Sequence, residues 1–280
     1  MAGASAAVVS TDPFDANVLG CLPTLRVIAR TGVGLDSIDL EAATRSGVVV
    51  TRTVGALEET VADHALALIL AAVRRVLEND ASVRRGEWDR LGSLTPWALH
   101  TSCVGVVGLG RIGSAVVRRL KGFGCEVIGS DPYVEELPGC TIVTLEELFE
   151  RADIVTLHVP LTPETRGLVD AGRLARMRSG AILVNVARGD VVDEDALVDA
   201  LHSGRLRAAA LDVFAHEPPA GSLLLELPNV VLSPHHAGLT RESVRVLTMQ
   251  AVTSALAVLR GETHPAIVNP EALAHVPKRG

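Results

Sequence analysis

The chain has 280 residues, 48% of them apolar and 21% charged, with a formal charge of −7. That length favours two domains over a single core. Interspersed Lys and Arg exclude a basic nucleic-acid stripe, and no apolar run approaches the ~20 residues that span a bilayer. The start, MAGASAAVVSTD, lacks the basic stretch and apolar core of a secretory signal, so a cytoplasmic setting is expected, with neither membrane nor nucleic acid as partner. Cys21, Cys103, Cys125 and Cys140 form no C-x-x-C pair, which argues against a disulfide framework or a zinc site; they are expected to be small buried residues.

In chain order, Ala6 to Ser10 and Leu25 to Ala29 are short apolar runs expected as strands, with a helical or turn segment over Asp15 to Leu22 between them. Arg30 to Asp39, RTGVGLDSID, is a glycine-rich connection; Gly32 and Gly34 either bring backbone close to a ligand or simply join strand to helix. Leu40 to Ser46 is expected as a helix and Val48 to Val50 as a strand. From Glu58 to about Leu77 a long helix carries small and apolar residues around much of its girth, so it must be covered on several sides. It serves either as a hinge between domains or as a subunit contact, and a homodimer is expected. Arg84 to Trp97 carries charges, glycines and a proline.

Val104 to Asp131, VGVVGLGRIGSAVVRRLKGFGCEVIGSD, organises the rest. A buried strand, Val104 to Val107, meets Gly108, Gly110 and Gly113 in the spacing G-x-G-x-x-G. From Ile112 the apolar period becomes about 3.6, and a second strand, Glu126 to Ser130, ends at Asp131. Gly108 allows the tight turn, Gly110 keeps a Cβ away from a pyrophosphate, and Gly113 lets helix pack on strand. The helix N-terminus then faces the diphosphate. A carboxylate at Asp131 accepts from ribose hydroxyls and repels a 2′-phosphate, so NAD is favoured over NADP.

Further strands are expected at Ile142 to Val143, Ile154 to His158, Ile182 to Val186, Ala208 to Leu211 and Val230 to Leu232. Helices alternate with them near Leu145, Ala171, Glu194 and Arg241, and another covers Ala251 to Arg260 before Ile267 to Leu273 closes the chain. The alternation predicts an α/β fold with a doubly wound parallel sheet. Ligands of such sheets sit beyond the carboxyl ends of the strands. Polar residues cluster there: His158 and Pro160; Ala187, Arg188 and Gly189; Asp212 and then Glu217; Pro234, His235 and His236. An arginine, a glutamate and a histidine are what hydride transfer at a 2-hydroxy acid needs. The guanidinium grips the carboxylate, the imidazole moves the hydroxyl proton, and the acid behind it fixes the tautomer. Each residue alone is equally an ion-pair, helix-start or loop residue.

Together with GLGRIG at 108–113, the segments HVPLTPET at 158–165, NVARGDVVDEDAL at 185–197, ALDVFAHEPP at 210–219 and SPHHAG at 233–238 resemble the successive signatures of the D-2-hydroxyacid dehydrogenases. Within that family the chain most resembles the phosphoglycerate dehydrogenase branch, through RTGVGLDSIDLEAATRSGVVV and IVNPEAL. The resemblance implies a Rossmann NAD domain over 55–238 and a smaller α/β substrate domain from 1–54 and 239–280. It implies Arg188, Glu217 and His235 as catalytic residues. Val33, Arg111, Ile112, His158, Val159, Pro160, Val186, Ala187, Asp212, His235 and Gly238 would join Gly108, Gly110, Gly113 and Asp131 around the cofactor, with Asp212 beside the nicotinamide amide. Arg30, Gly32, Gly34 and Arg188 would contact substrate.

Family members usually carry a further strand, helix and strand before the segment aligned with AAVVS, so the substrate domain is expected to be N-terminally truncated and to expose a sheet edge. Ser10 stands at or beside the place where phosphoglycerate enzymes carry an arginine. His236 replaces a usual aliphatic residue and is expected as a packing substitution. Besides phosphoglycerate, glyoxylate or hydroxypyruvate are alternative substrates, and a non-catalytic NAD-sensing protein is an alternative of another class.

Overall fold

The computed structural model describes residues 3–88 and 96–275; part of the charged 84–97 segment, residues 89–95, lies outside them. The chain divides into two compact units, residues 1–57 with 239–280, and residues 58–238.

In the first unit, β1 (Ala6–Val9), β2 (Val27–Arg30) and β3 (Val49–Arg52) form a parallel sheet in that order. Strand periodicity of two separates its faces. Ile28 and Val50 pack with Phe14, Leu19 and Ile38 under α1 (Ala16–Gly20) and α2 (Leu40–Arg45). Val27, Ala29 and Val49 pack against Ala251, Ala255 and Val258 of the C-terminal helix, Arg241–Leu259. Asp15 and Asp39 cap α1 and α2 by accepting from Val18 and Ala42 N–H groups. The 267–273 segment is tied to β3 by the buried Asn269, which accepts from Val50 N at 2.7 Å and donates to Val48 O at 2.9 Å. β1 is an edge strand, with Val8 46% exposed.

The second unit begins with α3 (Glu58–Arg74) and α4 (Val76–Arg84). Then follow β4 (Cys103–Val107), α5 (Arg111–Leu120), β5 (Glu126–Ser130), β6 (Thr141–Ile142), α6 (Leu145–Arg151) and β7 (Ile154–Leu157). The unit ends with α7 (Ala171–Arg176), β8 (Ala181–Asn185), α8 (Glu194–His202), β9 (Leu206–Leu211) and β10 (Val230–Leu232). The sheet order is β10-β9-β8-β7-β4-β5-β6, and every pair is parallel. All seven carboxyl ends therefore lie along one edge, and the order reverses between β4 and β7, where a doubly wound sheet opens a crevice. The core joins β-branched strand residues to Leu148, Phe149, Leu174, Met177 and Leu197 from the covering helices.

Several local expectations change. The long helix breaks at Arg75, which takes φ 50°, so α3 ends at Arg74 and α4 follows as a separate element. The segments near Arg241 and over Ala251 to Arg260 are one 19-residue helix, with Thr240 and Ser243 forming a capping box at its start. Cys21 is exposed rather than buried, because it follows α1 on the outside of the unit. His236 is also exposed and packs in no core. No described helix is long and apolar enough to cross a membrane.

Candidate active site

The glycine turn after β4 separates three functions by what a Cβ would meet. Gly108 has φ 87°, and a Cβ there would stand 2.9 Å from the backbone of His158, so this glycine closes the turn where β4 and β7 exit. A Cβ on Gly113 would lie 1.9 Å from Gly108 O, so only glycine lets α5 sit this close to the turn. A Cβ on Gly110 would have nothing within 4 Å. Gly110 is also the N-cap of α5 and makes no side-chain cap, whereas Asp15, Asp39, Thr144, Asp170 and Asp193 cap their helices. The positive end of α5 is thus left to an external anion. Arg111 is exposed and pairs with Glu58 at 3.4 Å; Ile112 is half-buried.

Asp131, just beyond β5, accepts from Leu109 N through Oδ2 at 2.8 Å and from Tyr133 N through Oδ1 at 2.9 Å. Each carboxylate oxygen retains acceptor capacity after one such bond. The acid at the end of β5 is in this way held against the glycine turn after β4.

His158 follows β7, with Val159 half-buried and Pro160 exposed beside it. Its Nε2 pairs with Thr156 Oγ1 at 2.9 Å, while Nδ1 is buried without a hydrogen-bond partner. Burial pushes the imidazole pKa down to about 3. A histidine with a lowered folded pKa binds fewer protons folded than unfolded between about pH 3 and 6.5, so stability falls as pH drops through that window. His158→Gln is therefore expected to lose less stability than wild type between about pH 7 and pH 4.5, read from urea midpoints. Equal losses would show that another group controls the acid response.

After β8, Asn185 organises the turn. It is buried, accepts from Ala187 N at 3.0 Å and donates to Arg188 O at 2.8 Å. Val186 and Ala187 are buried, and the half-buried Arg188 donates to Ala187 O at 2.7 Å. Gly189 lets this turn lie on the exit of β9, since its Cβ would stand 1.9 Å from Phe214 C.

Phe214 N donates at 3.2 Å to Glu217 Oε1, and Glu217 Oε2 lies 2.7 Å from His235 Nδ1. Burial raises the Glu217 pKa, but the bond to His235, the Phe214 N–H and the charge of Arg188 together hold it below the ordinary carboxylate value. The carboxylate fixes His235 with a hydrogen on Nδ1. Glu217 thus joins the exits of β9 and β10, with the charge of Arg188, after β8, acting on it. His235 takes φ 54°, a left-handed conformation rare outside glycine, and its N–H donates to Asp212 O at 2.8 Å.

The family resemblance implies Asp212 beside the nicotinamide amide. In the structure its wholly buried carboxylate accepts from Ser233 Oγ at 2.5 Å, His236 N at 2.8 Å and Ala237 N at 2.8 Å. It thereby holds the turn that carries His235; Gly238, half-buried, follows that turn. Neither Asn185 nor the Ser233 anchor was singled out from sequence, although NVARGD and SPHHAG contain them. Asn185 acts on backbone groups, and the Ser233 hydroxyl acts on a carboxylate 21 residues away, so neither leaves a signal in a short stretch of sequence.

Arg30, the last residue of β2, and Gly32, Val33 and Gly34 just beyond it belong to the first unit. Arg30 is only 7% exposed: Nη1 donates to Thr31 O at 3.2 Å, and the guanidinium lies 3.0 Å from the Cβ position of Gly32. It is folded beneath its own loop instead of standing out from it. Val33 is exposed and Gly34 half-buried.

Residues 66–237 match the family model for the NAD-binding domain of D-isomer specific 2-hydroxyacid dehydrogenases. D-3-phosphoglycerate dehydrogenase of Mycobacterium leprae is 45% identical over 266 residues, 94% of this chain and 50% of that protein. Glyoxylate reductase of Korarchaeum cryptofilum is 44% identical over 272 residues, 94% of this chain and 82% of that protein. The chain thus spans about half the length of the phosphoglycerate enzymes it matches. Among solved structures, D-lactate dehydrogenase from Aquifex aeolicus complexed with NAD and lactic acid superposes with a TM-score of 0.88 at 31% identity, covering 95% of this chain and 87% of that one. With a family match over more than half its residues, the same parallel-sheet fold and a relative matched over four-fifths of its length, the chain belongs to the D-isomer specific 2-hydroxyacid dehydrogenase family.

Proposed function

We propose that this protein is an NAD-dependent dehydrogenase acting at C2 of a D-2-hydroxy acid or, in reverse, of a 2-oxo acid, with phosphoglycerate and its oxo acid as the first candidate pair. The observation that carries this is the 2.7 Å contact of His235 Nδ1 with Glu217 Oε2, on a carboxylate that also feels the charge of Arg188. With Nδ1 committed to Glu217, Nε2 is the nitrogen that gives a proton to the substrate oxygen or takes it back. Glu217, held ionised, stabilises the imidazolium that forms when the proton is taken. Arg188 offers a planar pair of donors to the substrate carboxylate.

The cofactor cradle fits a dinucleotide. The clear space at Gly110 and the uncapped start of α5 suit a pyrophosphate, and the spare acceptor capacity of Asp131 suits ribose hydroxyls. NAD, when bound, supplies the hydride acceptor or donor.

A smaller, unphosphorylated acid such as glyoxylate or hydroxypyruvate is the second candidate, favoured by the burial of Arg30 under its loop and by the serine at position 10. NADH oxidation followed with 3-phosphohydroxypyruvate, hydroxypyruvate and glyoxylate decides between them. The first candidate predicts a kcat/KM at least about tenfold higher for the phosphorylated acid, equivalent to ~1.4 kcal/mol; a preference for either small acid supports the second. Tight NADH binding with no oxidation by any acid would contradict catalysis and favour an NAD-sensing role.

The proposal includes a homodimer, for which light scattering at micromolar concentration is expected to give twice the chain mass; a monomer would contradict this. The proposal includes a cytoplasmic setting, which cell fractionation tests: recovery with membranes would count against it.

A further inference from the structure

His64, in the second turn of α3, has no part in the chemistry proposed above, yet it begins a chain of hydrogen bonds that ends at His235. Its Nε2 lies 2.9 Å from Ser233 Oγ and 3.4 Å from Asp212 Oδ1, with the side chain 26% exposed. Ser233 donates its single hydroxyl hydrogen to Asp212 Oδ1 and has no second one to give to His64. The hydrogen between His64 and Ser233 therefore belongs to His64 Nε2.

Asp212 in turn holds the N–H groups of His236 and Ala237, and its own carbonyl holds the N–H of His235. His235 needs such a clamp. A residue with a side chain at φ 54° occupies a conformation that persists only where the surroundings over-determine it. Asp212 is on the exit of β9 and Ser233 just beyond β10, so without His64 this polar group would be closed by loop residues alone. The imidazole adds a donor fixed to a 17-residue helix that packs on β8, β9 and β10.

We infer that His64 is a positioning residue: through Ser233 and Asp212 it fixes the turn that aims His235 at its proton-transfer position. Its hydrogen bonding reaches Ser233 and Asp212, not His235 or Glu217 themselves. The kinetic half of this inference rests on the acid/base role proposed for His235, whereas the geometric half does not.

The test uses His64→Leu, which removes the donor, and His64→Gln, which keeps an N–H at similar reach. The first readout is the low-field proton resonance of the His235 Nδ1–H to Glu217 bond, assigned by its disappearance in His235→Asn. It is expected in wild type and in His64→Gln, and absent or broadened in His64→Leu. The second is turnover with the preferred 2-oxo acid. His64→Leu is expected to lower kcat by about tenfold with NADH affinity unchanged, the effect of one lost hydrogen bond in a charged network, and His64→Gln to recover it to within about twofold.

Should His64→Leu not fold, Ser233→Ala interrupts the same chain with a smaller change and is expected to give the same loss of the resonance. An unchanged resonance in whichever of these variants folds would overturn the inference. So would a His64→Gln variant as impaired as His64→Leu, since packing alone would then explain the effect. Wild-type protein without turnover on any acid would sink the dehydrogenase proposal, yet the resonance would still decide the role of His64.

Discussion

His235→Asn is expected to lower kcat by about 10² to 10⁴-fold while changing NADH affinity by no more than about twofold. Asparagine is the informative replacement because it tolerates the left-handed φ of 54° that His235 adopts, so the turn is preserved while the titratable imidazole is lost. Its amide can also donate to Glu217, which keeps the 2.7 Å contact from becoming an unpaired carboxylate. The groups proposed to hold the pyrophosphate and the ribose, Gly110, the start of α5 and Asp131, lie at the exits of β4 and β5 and not in this turn, which is why most of the binding should survive. Steady-state kinetics beside a fluorescence titration of NADH separate the two effects. Turnover equal to wild type would remove His235 from the reaction, and a large fall in NADH affinity would instead place it in cofactor binding.

Gly189→Ala is expected to have the largest structural effect, a loss of about 3 kcal/mol or more in unfolding free energy. The new Cβ would stand 1.9 Å from Phe214 C, 2.1 Å from its oxygen and 2.3 Å from Ala215 N. These are all backbone atoms, so no flexible side chain can yield, and the exits of β8 and β9 must separate. Phe214 N is the donor to Glu217, and Arg188 directly precedes the glycine, so the same separation pulls apart two groups of the proposed catalytic set. Urea unfolding measures the first consequence, and activity of the remaining folded fraction the second. A midpoint unchanged from wild type would mean that the two turns are not packed as described.

What could be seen in the sequence was whatever a short window encodes. Val104–Val107 followed by glycines and a 3.6-residue period is a strand, turn and helix because the residues dictate each step locally, and parallel pairing then places the strand ends together. The break after Arg74 was not visible, since Arg75 is neither glycine nor proline and its left-handed conformation arises at the junction, where it pairs with Glu78 at 2.8 Å. The continuity of Arg241–Leu259 was missed although nothing in that segment interrupts a helix.

For the site, Arg188, Glu217 and His235 were named from residue type, strand-end placement and family resemblance, and Glu217 does meet His235. The service of Asp212 to a turn was hidden, because a carboxylate that accepts backbone N–H groups carries no distinguishing spacing. Ser233 and His64, 169 residues apart, come together only through tertiary packing. The fold of Arg30 back against Gly32 is likewise invisible in the sequence, because it depends on the course of the side chain over its own loop.

The most direct measurement is a crystal structure with NADH and oxamate, an unreactive mimic of a 2-oxo acid. If guanidinium and imidazole serve one reacting carbon, the Arg188 guanidinium will hold the oxamate carboxylate and His235 Nε2 will lie within hydrogen-bond distance of its carbonyl oxygen, with Nδ1 still on Glu217. Oxamate bound away from the two, or Arg188 and His235 directed into separate clefts, would contradict the proposed reaction whatever dinucleotide occupies the glycine turn.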